Sequence, residues 1–532
     1  VTEAVIPETV QAPANPGPLR IKRLALTDFR AFPGPVPAVF ELNGKNLLVY
    51  GENGAGKSSL FHALQDFFSL QPSRNLATHK NVFSGAPDDQ CKVVVEFVGQ
   101  ETAPAEWTSK RHPCTQDFNT PVGDWYNYFF PGADSRVLDA ARRTACLDYK
   151  SLLDTNYKHG AGEVNLFDVA VTTLLRDYRV SVSGGTESTL GVLWQQLLDA
   201  ALAAKSVKPP ASALAKVNQS CIEFNTAFRQ ALNRLLPEVN RILVSLGWQD
   251  VLLKTLQTPG VSFKNDRLRR DRMVEGQRLT PALTYRGHAL ERPQMFLNEA
   301  RLSGLALALY LGGRLACTPS GESQSLKLMV LDDVLVGLDH SNRLPVLDVL
   351  ATHFTDWQIV LLTHDRTWFE LTQSHVDQKA WQFVEVYEGD AKAKTPCPIV
   401  RMAENRPAKN LLAKAKELLT TPYLEAAANY TRQGFELAIR GACEAKGIDM
   451  PYRVYPKGHK KPLESQAFLD KLKQWKASDQ QKQTTWDDAL KNLGTMKSVV
   501  MNPYSHPSAP NIPKQEIQQA IDAVEKFLGL AK

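Results

Sequence analysis

Apolar side chains along this chain follow two spacings, and the points where one gives way to the other mark its elements. Residues 19–26 alternate apolar with polar positions and predict an edge-type strand. A strand pair is expected at 38–42 and 47–50, the second an unbroken apolar run and therefore buried. Residues 58–68 then place Leu60, Phe61, Leu64 and Phe68 on one helical face. Residues 92–98 read as a further strand, and the aromatic cluster at 124–130 as packing. From 187 to 247 the spacing is helical: Leu193, Leu197, Leu198 and Leu202, a break at Pro209-Pro210, then Phe224, Phe228, Leu232, Leu235, Leu236, Val239, Ile242 and Leu243. About 30 residues of helix span only about 45 Å, so this insertion is a short hairpin and not a long coiled-coil arm. Apolar runs return at 305–311 as a helix, then at 326–331, 357–362 and 381–387 as strands. From Asn410 the pattern is helical, with one long helix over 423–446 ended by Gly447.

These elements divide the chain into a Pro/Ala-rich flexible arm (1–19), an α/β head in two lobes (20–186 and 251–390), the inserted helical hairpin (187–250), a linker (391–409) and a mainly α C-terminal domain (410–532). With 532 residues there is ample core. The seven cysteines are scattered without a CxxC pair, which fits free thiols in the cytoplasm and not a disulfide or zinc framework. No apolar run is of membrane-spanning length, and no signal segment is read at the start, so no membrane partner is expected. Charge is uneven. Residues 401–532 hold 21 Lys/Arg against 14 Asp/Glu, a net of +7 against +6 for the whole chain. A basic domain of this kind suits either nucleic acid or a solvated helical surface.

The chemistry gathers where the buried strand 47–50 runs into Gly51-Glu52-Asn53-Gly54-Ala55-Gly56-Lys57-Ser58-Ser59. Gly51, Gly54 and Gly56 let the backbone wrap closely around phosphates, and the next helix offers its positive end to them. Lys57 would reach the β- and γ-phosphates, and the Ser58 hydroxyl would hold Mg²⁺; the substrate expected is ATP. Asn53, Ala55 and Ser59 complete the loop. The strand before Asp332-Asp333 ends on a paired acid: Asp332 suits a water-mediated Mg²⁺ contact, and Asp333 suits polarising an attacking water. About 30 residues on, His364 stands at the end of another apolar strand, where it would sense the γ-phosphate.

With these motifs in this order, residues 20–370 resemble an ABC-type ATPase head of the SMC/RecF class. The resemblance is carried by Asp28-Phe29-Arg30, the loop 51–58, Leu302-Ser303-Gly304, Leu331-Asp332-Asp333, the segment Leu338-Asp339 to Asn342-Arg343, and Thr363-His364-Asp365. It implies nucleotide contacts from Arg30 and Asp339. It also implies a head-to-head homodimer in which Ser303 and Gly304 of one copy meet the nucleotide of the other. Phe296-Leu297-Asn298-Glu299-Ala300-Arg301-Leu302-Ser303 and Leu331-Asp332-Asp333-Val334-Leu335 narrow the resemblance to the Septu ATPase family of anti-phage defence (PtuA-type, including retron-associated forms). That family implies an HNH nuclease partner (PtuB-like), and for retron-associated forms a reverse transcriptase with its ncRNA and msDNA. Position 333 is Asp where most ABC ATPases carry Glu, which points to slow turnover. The signature lacks its second glycine, and no Gln loop is placed.

In the C-terminal domain Arg432 and Glu436 share a helix face, and His506 lies far downstream. The set is similar to the Arg/Glu/His group of HEPN-type ribonucleases such as PrrC, which would make the chain an autonomous ribonuclease; the compact Arg-x4–6-His motif is absent. A helical docking platform accounts for the same region, and a RecF-like DNA-repair clamp is a third reading.

Overall fold

The computed structural model describes residues 18–69, 79–98, 103–109, 111–114, 133–154, 164–181, 187–206, 208–318, 324–338, 340–390, 392–403, 407–450, 465–477, 479–501 and 513–531. They form two compact units, Val1–Met402 and Ala403–Lys532.

The first unit opens with β1 (Ile21–Thr27), β2 (Ala38–Glu41), β3 (Asn46–Gly51), α1 (Lys57–Phe67), β4 (Lys92–Phe97) and β5 (Ala105–Thr108). It continues with α2 (Ser135–Ala141), β6 (Ala145–Asp148), α3 (Tyr149–Asp154), α4 (Phe167–Val169), a π-helical turn at Ala170–Leu174, β7 (Arg179–Ser181) and β8 (Glu187–Thr189). The helical hairpin follows as α5 (Leu190–Ala204) and α6 (Ala211–Ser245). Then come β9 (Val251–Gln257), β10 (Ser262–Lys264), β11 (Met273–Glu275), β12 (Thr280–Tyr285), β13 (His288–Leu290), α7 (Pro293–Phe296) and α8 (Glu299–Cys317). The unit closes with β14 (Leu328–Asp332), α9 (His340–His353), β15 (Gln358–Thr363), α10 (Arg366–His375), β16 (Trp381–Tyr387) and β17 (Ile399–Ala403).

The central sheet has the order β17-β16-β3-β15-β14-β6, and β16, β3, β15, β14 and β6 run parallel. Its strands are buried on both faces, which is why 47–50 and 357–362 read as unbroken apolar runs. Parallel strands present their carboxyl ends on one edge, and Gly51, Asp332, Thr363 and Asp148 all stand there. A second, antiparallel sheet has the order β2-β1-β4-β5. Here two expectations are corrected. The strand at 21–27 is an inner strand, not an edge, bonded to both β2 and β4. The expected pair 38–42 and 47–50 splits: β2 pairs with β1 while β3 enters the central sheet between β15 and β16. The alternation that suggested an edge is a strand with one face on the core containing Phe29, Phe40, Leu64 and Trp107. Gln358 ties the sheets together. Its buried amide accepts from Ile21 N (2.7 Å) and donates to Ile21 O (3.0 Å) and Lys45 O (2.8 Å).

The hairpin is present as two helices, α6 with 35 residues and Pro237 inside it. Phe167, Trp194, Phe224 and Phe228 cluster where α4, α5 and α6 meet. Leu202, expected on the apolar face, is 72% exposed near the end of α5. Helix α8 is buried on every face from Leu302 to Cys317, so no amphipathic stripe marks it. Its Arg314 donates to the carbonyls of Thr173 (2.6 Å) and Leu174 (2.7 Å), which the π-helical turn leaves without their usual partners, and to Asp177 (3.2 Å). The segment read as a linker contains β17, which extends the central sheet, so the first unit runs to Met402.

The second unit is helical: α11 (Pro407–Leu418), α12 (Leu424–Ala445), α13 (Ser465–Gln474), α14 (Gln480–Met496) and α15 (Lys514–Leu530). Leu412, Phe435, Ile439, Leu490, Ile521 and Phe527 are among its buried core. The α/β character of the first unit and the α character of the second are as expected from the sequence.

Candidate nucleotide-binding site

Strand β3 delivers Gly51 to the sheet edge, and a five-residue loop leads into α1. Gly54 and Gly56 take φ of +88° and +104°, conformations a side chain would strain. A Cβ at Gly51 would lie 2.8 Å from Val386 O, so the loop must start on glycine. Helix α1 has no side-chain cap. Among the described residues, the amides of Gly54, Gly56, Lys57 and Ser58 donate to no protein group. A helix start with uncapped amides is suited to an anion. The Lys57 ammonium spans the loop, donating to Gly51 O (2.6 Å) and Glu52 O (3.1 Å). Burial lowers its pKa, and Asp333 and Asp332 oppose that shift. Ser59 faces away from the loop and accepts from Ala31 N (3.2 Å), pinning residues 28–32 to α1.

Strand β14 brings the paired acid to the same place. Asp332 Oδ2 lies 3.5 Å from Ser58 Oγ, joining two positions 274 residues apart. Its other oxygen, Oδ1, is buried and has no hydrogen-bond partner among the described residues. Burial first, then the neighbouring Asp333 charge, push this carboxyl up to about 6. A serine hydroxyl beside a carboxylate with an unused buried oxygen is the donor set a Mg²⁺–phosphate contact needs, and in that respect these residues fit the ion.

Asp333 sits at φ +52°, a left-handed conformation that Asp tolerates better than most residues. Its amide donates to Leu362 O (3.1 Å), and its Oδ1 accepts from His364 N (3.0 Å) and faces His364 Nδ1 (2.8 Å). That contact puts a proton on Nδ1 and leaves Nε2 to face outward. Arg343 of α9 braces the turn after Asp333, donating to Leu338 O (2.8 Å) and Asp365 Oδ2 (2.7 Å). The structure therefore brings together Gly51, Asn53, Gly54, Ala55, Gly56, Lys57, Ser58, Asp332, Asp333 and His364.

Other expected site residues stand elsewhere. Arg30 turns toward the far half of α1: its Nη1 is 3.5 Å from His79 Nδ1, and its charge acts on Asp66. Ser303 is 4% exposed in the second turn of α8, packed beneath Gly337, and Gly304 lies against the Trp248 ring. That buried pair is not a surface another copy could reach. The exposed end of α8 is its first turn, where Asn298 caps the helix by accepting from Arg301 N (3.1 Å). The reason is helix phase: the five-residue offset from Asn298 to Ser303 carries the serine inside. Asp339, His506 and the aromatic cluster 124–130 lie outside the described residues. Arg432 Nε donates to Glu436 Oε1 (3.2 Å), both side chains being 32% exposed.

Two residues at the site are not evident from the sequence. Asp148 ends β6 directly opposite Asp332 in the strand register, and its charge adds to the upward shift there. The signal was Ala145-Cys146-Leu147-Asp148, an apolar strand ending on an acid, too short to stand out from its mixed surroundings. Arg343 helps carry the resemblance, but nothing local to it shows its bracing role.

No family model and no curated protein matches this chain. Among solved structures it is similar to the recombination mediator protein RecF–ATP in the RecFOR pathway: 12% identity over 74% of this chain and 100% of that one, TM-score 0.44. It is also similar to the Smc head domain with an extended coiled coil bound to the C-terminal domain of ScpA, from Pyrococcus furiosus: 13% identity, 76% and 99% coverage, TM-score 0.36. At these identities and scores neither likeness carries an assignment, and the functional reading rests on the side chains.

Proposed function

We propose that this chain is a Mg²⁺-dependent ABC-type ATPase of the SMC/RecF class that hydrolyses ATP slowly. The observation carrying this is the convergence of Lys57, Ser58, Asp332, Asp333 and His364 on an uncapped helix start. The amides of Gly54, Gly56, Lys57 and Ser58 and the Lys57 ammonium hold the triphosphate; Lys57 exchanges its two loop carbonyls for phosphate oxygens. Ser58 and Asp332 would hold Mg²⁺, which would supply positive charge against the phosphates. Asp333 takes the proton of the attacking water, and His364 holds Asp333 in place while Nε2 faces the γ-phosphate. A second copy, head to head, closes the site, and the exposed first turn of α8 replaces buried Ser303 as the surface it offers.

The output we assign is control of a partner HNH nuclease in an anti-phage complex. The motif phrases shared with Septu ATPases support it. The helical second unit serves as docking platform, since Arg432–Glu436 has the geometry of an ordinary, partly exposed i,i+4 pair. Isothermal titration of Lys57→Ala with Mg–ATP tests the nucleotide reading. Affinity should fall by about tenfold or more without this charge-assisted hydrogen bond; unchanged affinity refutes it.

A further inference from the structure

Residues 251–292 form an antiparallel β-lobe with nine Lys/Arg against four Asp/Glu. It consists of the three-stranded sheet β13-β12-β9 and the hairpin β10-β11. This net +5 sits within the first 400 residues, which together carry 41 Lys/Arg against 42 Asp/Glu. One face of the sheet is committed. Val251 and Leu253 are buried, and Asn240 of α6 brackets the Leu253 backbone with bonds of 2.9 and 3.0 Å. Alternation sends Leu252 and Lys254 to the opposite face, where both are exposed. Lys254, Arg267, Arg269 and Arg292 are exposed, and none pairs with a carboxylate among the described residues.

Exposed apolar groups are set among these cations. Leu268 is 50% exposed, Met295 65% and Phe296 62%. At one end Tyr285, Arg286, His288, Leu290, Arg292 and Phe296 line an open pocket of about 590 Å³. The Tyr285 ring of this pocket has the Arg286 guanidinium 5.2 Å and the Arg301 guanidinium 4.7 Å from its centre, and the Phe296 ring stands 5.6 Å away. The lobe is laid out along α6. Strand β9 meets the helix at Asn240, and the loop after it meets Asn225 through bonds of 2.8 Å to Val261. Asn225 and Asn240 are fifteen residues apart, about 22 Å of helix. The cations are thus distributed over a lobe of this length, with Arg292 at the aromatic pocket.

We propose that this lobe binds single-stranded nucleic acid, with phosphates on Lys254, Arg267, Arg269 and Arg292 and a base stacked on Phe296. A surface built for solubility would carry the charges without the rings. A strand with unpaired bases offers both complements, anionic phosphates and apolar ring faces, whereas a duplex hides its ring faces. The assignment is independent of the ATPase reading and lies outside the basic second unit.

The test is fluorescence anisotropy of the full chain with labelled dT20, U20 and a 20-bp duplex, at several salt concentrations. Single strands should bind more tightly than the duplex. Phe296→Ala should weaken them about fivefold or more, the lower end of what one stacked base contributes. Arg267→Ala/Arg269→Ala/Arg292→Ala should lower the salt slope by roughly 0.7 for each phosphate no longer neutralised. Melting temperatures near that of the parent confirm that each variant is folded, and Arg292→Ala alone serves if the triple variant is not. A preference for U20 over dT20 or the reverse identifies the strand chemistry and supports the proposal either way. Absent binding overturns it. So does binding that neither variant alters, which would place the strand elsewhere, or a duplex held as tightly as the single strands. Equal competition by heparin in parent and Phe296→Ala, with no effect of the ring, would show a purely electrostatic surface and also overturn it.

Discussion

Replacing Asp333 by asparagine separates the chemistry of the site from its architecture. At φ +52° the residue needs a side chain that tolerates the left-handed region, and asparagine does so as well as aspartate. The Asn Oδ1 still accepts from His364 N and Nδ1, the contacts now at 3.0 and 2.8 Å. What weakens is the charge assistance of those bonds, about half their strength, or roughly 1 kcal/mol. What disappears is the proton acceptor. Loss of a general base lowers rate by about 10²–10⁴-fold, or roughly 2.7–5.4 kcal/mol in the barrier. Asp333→Asn should therefore melt within a few degrees of the parent, bind Mg–ATP at least as well, and release phosphate at least about a hundredfold more slowly in a single turnover. Light scattering should show the ATP-bound dimer accumulating, because the step that opens it is blocked. A folded Asp333→Asn protein that hydrolyses within about threefold of the parent would remove Asp333 from the reaction.

Three further outcomes follow from the packing. Gly304→Ala would drive a Cβ to within 1.9 Å of the Trp248 ring, so it should cost at least about 1–3 kcal/mol, read as a lower melting temperature. Arg432→Ala removes a partly exposed i,i+4 ion pair and should change stability by less than about 1 kcal/mol while leaving any nuclease co-purification intact; partner-free RNA cleavage that disappears in this variant would instead favour the ribonuclease reading. His112 accepts from Cys114 N, lies 2.9 Å from Asp66 O, and is held neutral, its pKa lowered to about 3 by burial. Its folded pKa is depressed, so below about pH 6.5 the unfolded chain takes up a proton that the folded chain refuses, and stability falls as pH drops from about 6.5 toward 3. Asp66, raised to about 6 by burial, acts in the opposite sense between its ordinary value and 6. Removing the histidine term with His112→Gln should shrink the drop in melting temperature between about pH 7 and pH 5; an unchanged drop refutes the assignment.

The nucleotide loop, the paired acid and the strand-end histidine were legible because each sits where an unbroken apolar strand ends, and that pattern is local. Sheet partners were not. Nothing local tells the strand at 38–41 to join β1 and not β3, because that choice is settled by Gln358 and by core side chains hundreds of residues away. Ser303 misled for a related reason. A Leu-Ser-Gly triplet looks the same in either helix phase, and the five-residue offset from the Asn298 cap decides whether it meets solvent or Trp248. Asp148 was missed because β6 has only four residues, too few for periodicity to show. The basic lobe at 251–292 escaped because summing charge over 400 residues cancelled it.

Gln358 also limits how this sequence can drift. Its side chain supplies one acceptor and two donors to two backbone segments, Ile21 and Lys45. Glutamate offers no donor, leucine offers neither, and lysine offers no acceptor. Asparagine has the right groups on a stem one carbon too short to reach both. In a saturation library under selection for folded protein, position 358 should therefore accept almost nothing. Lys45, which contributes only its carbonyl, should accept many side chains, whereas Ile21, fully buried in the core, should accept only apolar ones of similar size. Invariance would fall on the residue farthest from the chemistry along β15, and variability on Lys45, one of the two it holds.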